Sequence, residues 1–230
     1  MQAGEGASPD LAWLLAGPVV EAARGLLGAL LVRDDGVSAR IGRIVEVEAY
    51  RGADDLASHA RFGPTARNGS MFGPPGRAYV YGVYGMHTCL NIVCGPAGTA
   101  SAVLVRAVEP LAGVAAMRAA RLARGQATRK AERDAPGHAA ARIGSLPVMR
   151  LASGPGNVGA AFSIARDDDR CDLLDPVGRL RLEARPATDP LPASASGPRI
   201  GVAYAGASAE LPWRFWVTGS AAISGAGLHS

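Results

Sequence analysis

Two glutamates, Glu46 and Glu48, stand in a run otherwise suited to burial, Arg43-Ile44-Val45-Glu46-Val47-Glu48-Ala49-Tyr50. A carboxylate in an apolar strand is costly unless it has a partner or does chemistry. Arg106, in the equally apolar run Ala102-Val103-Leu104-Val105-Arg106-Ala107-Val108, supplies a partner. A glutamate held beside an arginine and facing a cavity can act as a general base on water. The same pair equally describes a structural ion pair. By strand periodicity Ile44, Glu46, Glu48 and Tyr50 share one face, with the two carboxylates roughly 7 Å apart. That separation also suits the acid and base of an inverting glycosidase, or leaves Glu46 as a supporting charge.

A hairpin further on carries three of the five tyrosines, Tyr79, Tyr81 and Tyr84. Tyr79 and Tyr81 fall on one strand face; His87, Cys89, Asn91 and Val93 share a face of the return strand. Tyr50, His59 and Tyr81 can offer ring faces to a flat, electron-poor ligand, and such faces favour a cationic, alkylated ring. Tyr84 lies between Gly82 and Gly85 at the hairpin tip. An exposed ring there is either a surface turn residue or a wedge that replaces stacking when a nucleotide leaves a helix. Lys130 is the only lysine. A Schiff-base mechanism needs an amine nucleophile, and this one falls in a basic segment away from the pocket residues, so a water nucleophile fits better.

The elements that must position these groups are legible as hydrophobic periodicity. Residues 1–15 read as a tail. Val19 to Val32 reads as a helix running into a strand, with Val20, Ala23, Leu26 and Leu27 at helical spacing. Strands are expected over 41–50, 100–108, 178–184, 198–204 and 214–218, with a hairpin over 79–94. Residues 51–78 form a long loop of the kind that is functional or disordered. Val114 to Arg124 is helical and basic, a flexible basic insert is expected over 119–145, and a helix starts near Val158 after Ser153-Gly154-Pro155-Gly156. Helices and strands mix without a dividing linker. The expected fold is α+β: one mixed domain over 16–224 with a curved, largely antiparallel sheet, surrounding helices and a protruding β-hairpin, then a short tail over 225–230.

The bulk properties are permissive. The chain has 230 residues, 48% hydrophobic residues and a net charge of +4. Its basic residues are almost all arginine, which suits phosphate and nucleobases, although a GC-rich genome would produce the same bias. Cys89, Cys94 and Cys171 form no CxxC pair and the four histidines are scattered, so no metal and no cofactor are expected. There is no signal peptide and no apolar run near membrane-spanning length. The expected setting is cytoplasmic, without a membrane partner.

Taken together and in order, these motifs resemble the alkyladenine (3-methyladenine) DNA glycosylase family. The matching stretches are Gly42 to Tyr50 with Asp54, Asp55 and His59; Thr65-Ala66-Arg67-Asn68; Met71-Phe72-Gly73; Tyr79 to His87 with Asn91; Arg106 to Pro110; Ser153 to Gly156; Arg199-Ile200-Gly201-Val202; and Arg214-Phe215-Trp216-Val217. The resemblance implies a monofunctional glycosylase of base excision repair, a monomer that acts on double-stranded DNA containing damaged purines and is nucleoid-associated through that DNA. It implies Glu48 as general base, with Arg106 and the main-chain carbonyl of Ile200 helping to hold the water. It also implies Tyr50, His59 and Tyr81 around the flipped base, Asn91 screening its exocyclic groups, Tyr84 as the intercalating wedge, and Thr65 and Met71 near the DNA backbone. Ala66 and His87 depart from residues found in some members. A lesion-sensing binder without catalysis, or a small-molecule nucleosidase, would use a similar pocket.

Overall fold

The computed structural model describes residues 10–83, 87–126 and 138–225. Its centre is an eight-stranded antiparallel sheet whose longest strand, β2 (Ala39–Arg51), is bordered on both sides. Strand β5 (Ser101–Ala112) runs along one edge of β2. Strand β1 (Leu30–Asp34) pairs with the first part of the other edge, and β8 (Arg214–Val217) with Glu46 to Glu48 further on. The hairpin of β3 (Ala78–Val83) and β4 (His87–Cys94) extends the sheet beyond β5. β6 (Leu180–Glu183) closes the end beside β1, and β7 (Ser194–Gly197) pairs with β8.

The period-two alternation of these strands divides buried apolar side chains from the groups that could do chemistry. Val47, Ala49, Val80, Leu90, Ile92, Val103 and Val105 lie in the main core. Helices α1 (Leu11–Ala16), α2 (Val19–Gly25), α3 (Val114–Gln126) and α5 (Pro155–Ala161) contribute Leu15, Ala22, Met117 and Val158 to the same core. The alternate residues, including Glu48, Tyr50, Tyr79, Tyr81, Asn91, Leu104 and Arg106, turn to the other face and line a cavity.

Four sequence expectations change. The shared face of Ile44, Glu46, Glu48 and Tyr50 is broken by a β-bulge: the β2–β5 register shifts between Ile44 and Glu46 and again before Val47. The extra residue sends Ile44 into the main core with Val47 and Ala49, leaving Glu46, Glu48 and Tyr50 on the other side. The tail expected over 1–15 is helical from Leu11, because Asp10 caps the Ala12 and Trp13 amides and Leu11 and Leu15 are buried one turn apart. The strand expected over 198–204 lies earlier, at Ser194–Gly197; Gly201 has φ +79° and a 3-10 segment follows over Ala203–Ala209. Of the insert expected over 119–145, α3 continues to Gln126 and α4 (His138–Gly144) follows. Lys130 lies outside the described residues.

The arginines of α3 have a structural use. Arg118 donates to the carbonyls of Ile143, Gly144 and Leu146, and Arg121 to those of Arg150 and Leu151. They tie α3 to the segments that follow it.

Helix α5 sits close on β4 at Gly159, where a β-carbon would run into the main-chain carbonyl of Thr88. Gly159→Ala should therefore destabilise the protein by about 1–3 kcal/mol, the usual penalty for overpacking a tight contact. Denaturant unfolding measures this, and an unaltered midpoint would show that α5 can move off β4.

Candidate active site

Glu46 and Glu48 have no solvent exposure and share one guanidinium. Arg106 Nε donates to Glu46 Oε1 and Nη1 lies against Glu48 Oε1, both at 3.1 Å, while Nη2 donates to the Ser224 hydroxyl. Burial works against the Arg106 charge, but Glu48 and Glu46 outweigh it and hold its pKa above the ordinary arginine value. Glu46 is fully engaged: Oε1 also takes Arg214 Nη1 at 3.3 Å, and Oε2 accepts the Ser224 amide at 2.6 Å. It does not line the cavity. The acid–base pairing of Glu46 with Glu48 therefore gives way to a supporting role for Glu46.

Glu48 lines a cavity of about 600 Å³, within the size range of small-ligand sites. Its Oε1 also accepts the Ile200 amide at 2.7 Å, and its Oε2 accepts the Tyr50 hydroxyl at 2.8 Å. Burial and the neighbouring Glu48 charge push the Tyr50 pKa well above its usual value, so the phenol keeps the proton it donates. Behind Tyr50, the Arg199 guanidinium lies 4.8 Å from the ring centroid. Arg199 also pairs with both Asp55 oxygens and donates to the carbonyls of Ala49 and Ser208. This buried clamp joins β2 and the 51–58 loop to the segment that presents Ile200. The turned backbone at Ile200 serves a carboxylate instead of a β-ladder, which is why no strand forms there.

The aromatic wall is a connected set. His59 and Tyr81 meet edge-to-face with centroids 4.5 Å apart, and Tyr79 and Tyr81 lie 5.5 Å apart and tilted by 35°. His59 Nδ1 and the Tyr79 hydroxyl share a hydrogen bond of 2.8 Å. Burial pushes the Tyr79 pKa up to about 12 and raises that of Tyr81 as well, so both rings stay neutral. Asn91 is buried and donates its amide to the Tyr79 carbonyl.

Of the residues singled out from sequence, Glu48, Tyr50, His59, Met71, Tyr81, Asn91, Arg106 and Ile200 all line this one cavity. Met71 is 2% exposed and packs with Tyr79 and Ala60, so its side chain belongs to the pocket wall. Thr65 is exposed outside the lining, where its amide and hydroxyl donate to Asn68 Oδ1. Tyr84 lies outside the described residues. Sequence reasoning missed Arg199, Arg214, Ser224 and Tyr204 as supports or lining; only the proximity of Arg199 to Ile200 and of Arg214 to Phe215 within the quoted motifs hinted at two of them. Among the described residues no group of three or more His, Cys, Asp or Glu could hold a metal, and no helix is long and apolar enough to cross a membrane.

Burial, then the charges of Arg67 and Arg61, lower the His59 pKa from 6.5. The folded protein releases this proton at a lower pH than the unfolded chain does. Between the two values the unfolded state binds more protons, so stability rises with pH there and is lost as pH falls below 6.5. His59→Gln should flatten that part of the profile, as read by denaturant midpoints above and below this pH. A profile as steep as wild type would remove His59 from the titration.

The methylpurine-DNA glycosylase family model matches residues 13–221. Three proteins, each named "Putative 3-methyladenine DNA glycosylase", are similar over most of their length. One from Anaeromyxobacter dehalogenans is 45% identical, covering 88% of this chain and 80% of its own. One from Myxococcus xanthus is 44% identical over 90% and 89%, and one from Frankia casuarinae is 42% identical over 96% and 94%. The chain belongs to the methylpurine-DNA glycosylase family, and so to the hydrolases that act on N-glycosyl bonds in DNA repair.

Proposed function

We propose that the protein flips a damaged purine out of duplex DNA into this cavity and cleaves its N-glycosidic bond with a water activated by Glu48, leaving an abasic site. The observation that carries this reading is the Glu48 carboxylate, fixed by three donors at the wall of an aromatic-lined cavity. A carboxylate offers about four acceptor positions. Ile200 and Arg106 use both on Oε1 and Tyr50 uses one on Oε2, so the remaining position on Oε2 is where a water hands over its proton. Arg106 and the Ile200 carbonyl help orient that water. As its oxygen approaches C1′ of an oxocarbenium-like sugar, the C1′–N bond breaks and its electron pair passes to the purine. An alkylated, cationic purine then leaves neutral.

Tyr50, His59 and Tyr81 enclose the base, their neutral electron-rich rings favouring alkylated purines. Asn91 screens the exocyclic groups. Tyr84 fills the gap in the stack, and Thr65 and the main chain at Met71 lie near the DNA backbone, while the Met71 side chain stays in the pocket wall. The substrate class is alkylated or deaminated purine: 3-methyladenine, 7-methylguanine, hypoxanthine and ethenoadenine. Unstacking costs least for a damaged base, which adds selectivity before chemistry begins.

Glu48→Gln keeps the side chain's size while Arg106 retains Glu46 as a partner. Base release from methylated duplex under single-turnover conditions should fall about a hundredfold or more, the scale of a lost general base. Release at the wild-type rate would refute the mechanism. Tyr84→Ala should weaken flipping and lesion-duplex affinity without changing thermal stability; if affinity and release both stay at wild-type values, the wedge lies elsewhere.

A further inference from the structure

Beside the cavity mouth, two aromatic rings that a folded protein would ordinarily cover are held in solvent around one arginine. Phe62 is 83% exposed and Tyr204 62%. The Arg61 guanidinium lies 4.7 Å from the Phe62 centroid and 5.1 Å from that of Tyr204. Tyr204 also lines the cavity, and its hydroxyl donates to the carbonyl of Ala57. The group therefore adjoins the pocket that holds Glu48.

The exposed loop is fixed. Asn68 is 3% exposed, and its amide donates to the carbonyls of His59 and Gly63 on either side of Phe62. Gly63 turns the chain with φ +82°, and its amide bonds to the carbonyl of Ala60. Arg61 donates to the Ser58 carbonyl and Arg67 to that of Gly82; neither has a carboxylate partner among the described residues. Both charges are felt at His59, inside the cavity.

We propose that Arg61, Phe62, Arg67 and Tyr204 form a strand-gripping rim: a base next to the extruded nucleotide stacks on the exposed rings while the two arginines take its phosphates. The inference rests on the glycosylase reading and extends it from the cavity lining, which includes Arg67 and Tyr204, to Arg61 and Phe62 beside it. Aromatic faces joined to unpaired cations are the combination that single-stranded nucleic acid selects, because every base has a face and every linkage a charge. A duplex whose nucleotide has been flipped presents such a locally unstacked tract.

The probe is a duplex with an uncleavable abasic-site analogue and 2-aminopurine beside it, bound to the full chain at several salt concentrations. Phe62→Ala should weaken binding about tenfold, the effect of one lost base–aromatic stack, and abolish the wild-type change in 2-aminopurine fluorescence. Phe62→Tyr should restore both. Arg61→Gln should reduce the slope of log affinity against log salt by about one. Wild-type affinity, fluorescence and salt slope in Phe62→Ala and Arg61→Gln would overturn the rim. If wild type instead binds this duplex but releases no base from a lesion duplex, the glycosylase reading fails and the rim stands on its own.

Discussion

Two carboxylates emerge on the same side of one buried strand, and the sheet is organised to hold them. Leaving either without its cation would strand a charge at a cost of about 3–5 kcal/mol, a large share of the roughly 5–15 kcal/mol that stabilises a domain. The protein answers with cations from both neighbours of β2: Arg106 from β5 and Arg214 from β8. Ser224, far along the chain, closes the cluster by donating its amide to Glu46 and accepting from Arg106. The bulge before Val47 belongs to the same arrangement, since it lets Glu46 and Glu48 face the arginines while Ile44 returns to the apolar core.

The two glutamates then divide the work by their surroundings. Glu46 meets two guanidiniums and a main-chain amide, none of which can leave cheaply, and it has no place in the cavity lining. Glu48 shares Arg106 with it but takes its other donors from Ile200 and Tyr50, groups at the edge of the cavity. Those two donors depend on a second buried ion pair. Arg199 binds Asp55 with both terminal nitrogens, lies behind the Tyr50 ring and immediately precedes Ile200 in the chain. One arginine thus sets the bulk of the carboxylate's charge balance, and another sets the positions of its remaining donors.

What could be read from the sequence follows this division. Glu48, Arg106, Tyr50, Tyr81 and Asn91 lie on strands, where alternation fixes the side a residue faces, and the structure brings all five to one cavity. Alternation fails where a residue is inserted, so it placed Ile44 on the wrong face. It also fails where a side chain captures the backbone. The apolar look of 198–204 suggested a strand, but the Ile200 amide is committed to Glu48, and nothing local in those residues announces a partner so distant in the chain. Leu11 and Leu15 carried a helical signal too short to stand out until Asp10 was seen capping it. Asn68 was visible only as part of a motif; that its amide fixes the backbone on both sides of Phe62 is a fact of tertiary geometry.

Net charge proves a poor guide to where a polyanion would sit. The helix that reads as most basic, α3, directs Arg118 and Arg121 to carbonyls of the chain that follows, where they stabilise the ends of short segments. Arg106, Arg199 and Arg214 neutralise buried carboxylates. An arginine balanced by a carboxylate, or spent on several carbonyls as Arg118 and Arg121 are, gains less from a phosphate than one with a single carbonyl bond, because the new bonds replace old ones. In the proposed reading, attraction for DNA depends less on the excess of +4 than on guanidiniums without an acidic partner among the described residues that also lie at or beside the pocket. Among the described residues Arg61 and Arg67 meet both conditions, and their charges, after burial, lower the His59 pKa. On that same reading, the two charges that lower the His59 pKa are also the ones placed to meet a phosphate backbone, so the pair that disfavours a second cation inside the cavity would attract the strand outside it.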